Sequence, residues 1–362
     1  MRILLALLLA VTALTGIAAP ALTQDGFELP TVGRHFEFPK DHGSHPTFKI
    51  EWWYLTGHLE ARGGRQFGFQ ATFFRRAFRE TDNGPLNHIH LAHMALTDLR
   101  GDRFFHQERL ARDGWDAEAT VGDLSVRNGP WTLRRESSAG RDTFIVEGGI
   151  KADVSFAFTL SPKKPLVVFG ENGVSRKGSD PTAASHYLTF TRMGVTGDLH
   201  LPEGTLDVTG EAWMDHEFSS SQLSEGMVGW DWAGIHLDDG REVMVYRLRF
   251  KDGTQDPASR LTWVDKSGEL TTRPFSWRVE RTWKSAATGV EYPAVVAIDT
   301  VDPQTGTGIT LRLTPKREDQ ELIGNRGGVT YWEGACAVES TPKSLTGKAY
   351  MELTGYAGQL RM

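Results

Sequence analysis

The chain reads as an all-β protein organised in two domains. Short runs rich in Phe, Trp, Tyr, Val, Ile and Thr alternate with Gly, Asp, Asn and Pro turns from about residue 30 onward. No stretch beyond the N-terminus carries apolar residues at helical spacing. At 362 residues the chain is long enough for two domains, and an aromatic hairpin recurs at an offset of roughly 177 residues.

The elements follow in order. Met1-Arg2 precedes an apolar run from Ile3 to Leu14, and Ala19-Pro20-Ala21 supplies small residues where a signal peptidase needs them. Residues 1–21 are therefore expected to be a signal peptide cut after Ala21, making the mature protein an exported, periplasmic one. No later stretch is apolar for long enough to cross a membrane. Gln66–Phe74, Glu242–Phe250 and Gly308–Thr314 read as strands; Asp238-Asp239-Gly240 and Lys251-Asp252-Gly253 read as hairpin turns. Ser175–Ser185 is the clearest loop, and Ser220–Met227 reads as a short helix or an irregular connection.

The repeat pairs two hairpins. Trp52-Trp53-Tyr54 leads through Gly57 and Leu59 into a strand ending at Arg75. Trp230-Asp231-Trp232 leads through Gly234 and Leu237 into a strand reaching Arg249. This symmetry puts the domain boundary near residues 218–228, dividing the chain into 35–222 and 223–362.

Composition narrows the function. Hydrophobic residues are 39% and charged residues 24%, ordinary for a globular protein. A formal charge of −6 with mixed signs excludes the concentrated basic face that nucleic acid requires. Cys336 is the one cysteine, so no internal disulfide forms, and its small, apolar strand context reads as a buried thiol.

The densest chemistry lies in Glu211–Phe218 and Gly229–Trp232. Within about twenty residues these place several carboxylates and an imidazole among large aromatic rings. Aromatic walls accommodate an apolar ligand, and a carboxyl held against them has a shifted pKa suited to proton transfer. The competing reading is a β core capped by polar turn residues. A hydrolase would need a nucleophile or a metal. Gly-x-Ser-x-Gly and His-Glu-x-x-His are both absent. Ser219, Ser220 and Ser221 read as a polar loop more readily than as a nucleophile. On a strand, His88 and His90 share a face that His93 does not, which opposes a three-histidine metal site. No metal or cofactor is therefore expected.

Glu51-Trp52-Trp53-Tyr54, Gly57-His58-Leu59, Ala92–Asp98, Trp213–Phe218, Gly229–Trp232 and Tyr331–Gly334, taken together and in order, resemble the AttH/CrtC-like family. Its members include carotenoid 1,2-hydratase and kievitone-hydratase-like enzymes. The match runs from about residue 35 to 360. The resemblance implies two tandem lipocalin-like β-barrels packed together, a site for a hydrophobic small molecule, and cofactor-independent addition of water to a C=C bond. It also implies an aspartate in a Trp-rich strand and the histidine of an Asp-His motif as the reacting groups. Matched position by position, these become Asp231 as proton donor and His216 as base, with Asp215 or Glu217 orienting His216. Glu51, Trp53, Tyr54, Gln70, Arg75, His93, Tyr187, Trp213 and Trp232 are the expected lining of the ligand site. The expectation is an exported, cofactor-independent hydratase or hydrolase acting on a hydrophobic small molecule by acid–base chemistry; the alternative is a non-catalytic carrier of a lipid or polyene-like ligand.

Overall fold

The structure, a computed structural model, describes residues 21–81, 84–324 and 329–359. The expected signal peptide lies almost wholly outside the described residues. Among those described, no helix is long and apolar enough to cross a membrane.

Apart from one short 3-10 turn at Lys40–His42, the regular structure is antiparallel strand. The cause is local: β-branched and aromatic residues alternate with turn formers, so the chain pairs with itself every ten or so residues. A first, thirteen-stranded sheet runs in the order Arg103–Arg112, Leu86–Asp98, Arg65–Arg79, Ile50–Ala61, Gly204–Ser221, Ala184–Leu201, Val154–Pro162, Arg141–Ile150, Trp131–Ser138, Ser125–Asn128 and Ala117–Ala119. Two short strands, Val167–Phe169 and Ser175–Arg176, also pair with Ala184–Leu201. The sheet curls until its ends meet: Asn128 Nδ2 donates to the carbonyl of His90 across the closure, 3.2 Å away. The result is a nearly closed barrel around Trp53, Leu55, Phe67, Phe69, Trp131, Phe144 and Phe158.

A second, ten-stranded sheet orders Leu270–Arg273, Arg260–Val264, Glu242–Phe250, Met227–Leu237, Thr346–Leu353, Tyr331–Thr341, Gly308–Pro315, Glu291–Val301 and Ser276–Lys284, with the short strand Glu321–Leu322 also pairing with Tyr331–Thr341. It encloses a core of its own that includes Ile235, Val245, Trp263, Val296, Leu311 and Met351.

A third apolar cluster joins the two. Tyr54, Tyr187 and Trp213 of the first sheet pack on Trp232, Met244, Tyr246 and Tyr350 of the second. The two-residue pleat explains how one strand serves two cores. Along Ile50–Ala61, Trp53 and Leu55 point into the first barrel, whereas Trp52 and Tyr54 face the other sheet. The repeated hairpins mirror each other at this junction, the second offering Trp230 and Trp232.

Two loop expectations resolve differently. Ser219–Ser221 is the end of a strand, and only residues 222–226 are irregular. Within 175–185 the ends pair as Ser175–Ser185 and Arg176–Ala184, which leaves a loop over 177–183. Ser219 Oγ donates to the Ala184 carbonyl and Ser220 Oγ to that of Glu28, so both hydroxyls are committed to backbone.

Candidate active site at the junction of the two sheets

The cluster between the sheets opens into a pocket. Trp52, Tyr54, Thr72, Phe74, Tyr187, Asp215 and Glu217 come from the first sheet. Trp230, Trp232, Tyr246, Leu248, Tyr331, Glu333 and Glu352 come from the second, and Lys177, Gln222 and Leu223 from the connections. Four carboxyl groups thus converge on one aromatic space.

Asp215 is held most tightly. Its Oδ1 accepts from Thr189 Oγ1 at 2.6 Å and Trp213 Nε1 at 2.7 Å, and its Oδ2 from Tyr187 Oη at 2.8 Å. Tyr187 in turn accepts from Trp232 Nε1 at 3.1 Å. Burial raises the Asp215 pKa, the three donors lower it, and burial wins, leaving it at about 7.

Glu333 and Glu352 are direct cross-strand partners on Tyr331–Thr341 and Thr346–Leu353, so the pleat sends both carboxyls into the pocket. Burial pushes Glu352 up to about 7 against one hydrogen bond, from Trp230 Nε1 at 2.9 Å. Burial, and then the neighbouring Glu352, push Glu333 well above the usual carboxylate range. The Tyr54 and Tyr331 hydroxyls face Glu333, yet neither of its oxygens makes a hydrogen bond of normal geometry. Two adjacent buried carboxyls cannot both ionise cheaply, so this pair holds a proton near neutral pH.

Glu217 pairs with Lys177, whose Nζ lies 3.0 Å from Oε1. The Lys177 ammonium also lies over the Tyr187 and Tyr246 rings, at 4.5 and 4.7 Å from their centroids.

The expected acid–base pair is not assembled. Asp231 alternates with Trp230 and Trp232, so it points the other way, into the barrel-like interior that the second sheet encloses around its own core. There it is fully buried, with Arg249 Nε at 2.9 Å, Arg247 at 3.0 Å and the Tyr356 hydroxyl donating at 2.9 Å. His216 alternates with Asp215 and Glu217 and points into the first barrel. It stacks on Trp53, and its Nε2 lies 2.9 Å from Glu51 Oε1. Asp231 and His216 therefore occupy different barrel interiors, on opposite sides of the pocket. Asp215 and Glu217 line the pocket, but they face away from His216 and cannot orient it.

The expected lining divides in the same way. Tyr54, Tyr187 and Trp232 are in the pocket wall. Gln70, His93 and Trp213 stand one layer behind it: Gln70 and His93 reach Tyr331 Oη, and Trp213 holds Asp215. Glu51, Trp53 and Arg75 face the first barrel's interior. There Arg75 Nε lies 2.9 Å from Glu51 Oε2. Each barrel thus contains a buried carboxylate–arginine pair, Glu51–Arg75 in one and Asp231–Arg249 in the other.

Among the described residues, His45, Glu51 and His216 are the one group of three whose ligand-type atoms lie close enough to share a metal ion. Their chemistry argues for a proton network instead. Glu51 already accepts from Ser44 Oγ, the His45 backbone N–H and Arg75, beside a guanidinium that opposes a cation. Burial pulls the His45 pKa down, but hydrogen bonds to Asp41 and Glu51 outweigh this and raise it above its ordinary value. Burial lowers the His216 pKa, outweighing its hydrogen bond to Glu51.

Lys177, Tyr331, Glu333 and Glu352 were not among the expected site residues. Tyr331 and Glu333 belong to a motif that the sequence displays, and their spacing of two already places them on one face.

The fold and pocket together define a two-sheet β protein with a carboxyl-rich aromatic site at the junction of its halves. The chain belongs to the AttH-like family, whose profile matches residues 29–356. It is similar to a solved protein of Nitrosomonas europaea described as a candidate AttH, at 35% identity and TM-score 0.81, covering 91% of this chain and 99% of that one. Kievitone hydratase from Nectria haematococca shares the fold at TM-score 0.66 and 16% identity, covering 92% of this chain and 98% of that one. No functionally curated protein matches the sequence.

Proposed function

We propose that this protein is a cofactor-independent hydratase, a hydro-lyase, acting on an unsaturated, hydrophobic small molecule in the pocket between the sheets. The observation that carries the reading is the convergence of Asp215, Glu217, Glu333 and Glu352 on one aromatic space, three of them pushed toward the protonated form. The shared fold of kievitone hydratase supports it. A carrier of an apolar ligand has no use for four carboxyls on one aromatic pocket, three of them buried and costly to desolvate.

In this reading the Glu333–Glu352 pair supplies a proton to one alkene carbon. The cation left on the other carbon faces Trp52, Trp230 and Trp232, whose ring faces favour positive charge. A water oxygen bonds to that carbon and gives its proton to Asp215, which three donors prepare to hold negative charge. One water is consumed and no oxidant is needed. The free space in the pocket is about 70 Å³, well below the roughly 300 Å³ of a typical organic-ligand site. The rim at Lys177, Gln222 and Leu223 must therefore move to admit substrate.

The same reading takes 35–222 and 223–362 as the two halves that share the pocket, and takes 1–21 as the segment that exports the protein. The test is incubation with alkenes extracted from the host in isotopically labelled water. Label is expected in a product alcohol, and Glu333→Gln is expected to slow its formation by about a hundredfold or more. Unlabelled, unchanged ligand recovered from wild-type protein would sink the hydratase.

A further inference from the structure

Behind the pocket wall, Tyr331 continues into a second line of titratable groups. Its hydroxyl lies 2.8 Å from His93 Nδ1, and the two rings stack with centroids 5.6 Å apart. On the far side of the imidazole, His93 Nε2 lies 3.3 Å from Glu108 Oε2, near enough to pair although the two are not aligned as a hydrogen bond. His93 and Glu108 are cross-strand partners on Leu86–Asp98 and Arg103–Arg112, so the pleat aims both at the same face. Gln70 Nε2 approaches the Tyr331 oxygen at 3.4 Å, which leaves the hydroxyl hydrogen for another acceptor. Phe74 packs its edge on His93, and His106 is the other imidazole close to this pair.

Exposure rises along the line. Glu333 is 1% exposed and Tyr331 4%. The His93 side chain is 4% exposed and that of Glu108 10%. Glu108 also belongs to the end strand of the first sheet's paired order, beside the barrel closure. A buried acid that gives up a proton in each turnover needs a route for its replacement, and Glu333 itself is shut off from bulk water whether or not the pocket is filled.

We propose that Tyr331, His93 and Glu108 form a proton relay that recharges Glu333 from the edge of the first sheet; this rests on reading Glu333 as the proton donor. A proton moves from Glu108 to His93 Nε2. His93 Nδ1–H passes its own proton to the Tyr331 oxygen, and the Tyr331 O–H passes its proton to the Glu333 carboxylate. One proton enters and one arrives, with no net charge left on the relay. Glu333 alone touches the substrate; Tyr331, His93 and Glu108 act through it.

The experiment needs no substrate. Infrared spectra of the full chain give the protonated-carboxyl band of Glu333, assigned by its loss in Glu333→Gln, and its exchange is timed after dilution into D2O. Exchange is expected to slow by about a hundredfold, the low end of what a positioned proton-transfer group contributes, in Tyr331→Phe and His93→Gln. Glu108→Gln should slow it as well, while Glu108→Asp restores it. Exchange at the wild-type rate in these variants would overturn the relay. If Glu333→Gln removes no such band, the reading of Glu333 as donor fails instead. Melting curves confirm folding, and should Tyr331→Phe not fold, Glu108→Gln at the sheet edge decides the matter.

Discussion

Glu352 faces Glu333 across one strand pair and Asp215 across the pocket, and among the described residues its side chain accepts a hydrogen bond from Trp230 alone. Its folded-state pKa is raised from 4.5 to about 7, chiefly by burial. Folding therefore takes up a proton between those values, and the stability this contributes is complete below about pH 4.5 and lost as pH rises through 7. Glutamine imitates the protonated group and removes the loss. Glu352→Gln is expected to melt like wild type at pH 4 and to be more stable at pH 8, by on the order of 3 kcal/mol. Thermal melts across that range check it, and an advantage largest at low pH would contradict the assignment.

Strand alternation settles which side chains meet. On Met227–Leu237, Trp230 and Trp232 face the pocket, so Asp231 must enter the second barrel, where only arginines make its burial tolerable. Asp231→Asn leaves Arg247 and Arg249 without their anion. Stability should fall by about 3–5 kcal/mol in chemical denaturation, the usual cost of breaking a buried pair. At temperatures where the variant is folded, turnover should persist; its complete loss would return Asp231 to the chemistry. A second device of the same order is the register shift between Phe190 and Met193. It accompanies the change of that strand's outer partner from Val167–Phe169 to Val154–Pro162. Beside it, Arg192 reaches Glu242 of the second sheet.

That contact is part of what holds the molecule together. Glu242 is fully buried and takes Arg192 Nε at 2.7 Å and Lys164 Nζ at 2.6 Å, two cations of the first half on one carboxylate of the second. His58 Nε2, 3.0 Å from the Ala349 carbonyl, adds another tie. Because the pocket draws its walls from both sheets, the site exists only while they are docked. Glu242→Ala leaves Arg192 with Glu211 alone as its carboxylate and Lys164 with backbone carbonyls only, and should lower global stability by about 3 kcal/mol. If the sheets unfold together, tryptophan fluorescence and circular dichroism will report a single coincident transition in wild-type protein. In the variant the two probes should separate as docking weakens.

The all-β class, the paired aromatic hairpins and the region of the site were legible in local pattern, because pleat period and turn chemistry act over a few residues. Asp215 and Glu217 could be named for the same reason: they share a strand face with Trp213. The direction of that face could not be read. Both faces of these central strands are buried, one in a barrel and one at the junction, so polarity no longer marks inside from outside. His216 and Asp231 were therefore expected on the pocket side, whereas packing sends each into a barrel interior. Glu333 and Glu352 come from a hairpin more than a hundred residues beyond Asp215, and only docking of the two sheets brings their carboxyls together. Sequence alone determined which strands form; the tertiary structure decided which carboxyls share one desolvated space, because pKa shifts arise from neighbours distant in the chain.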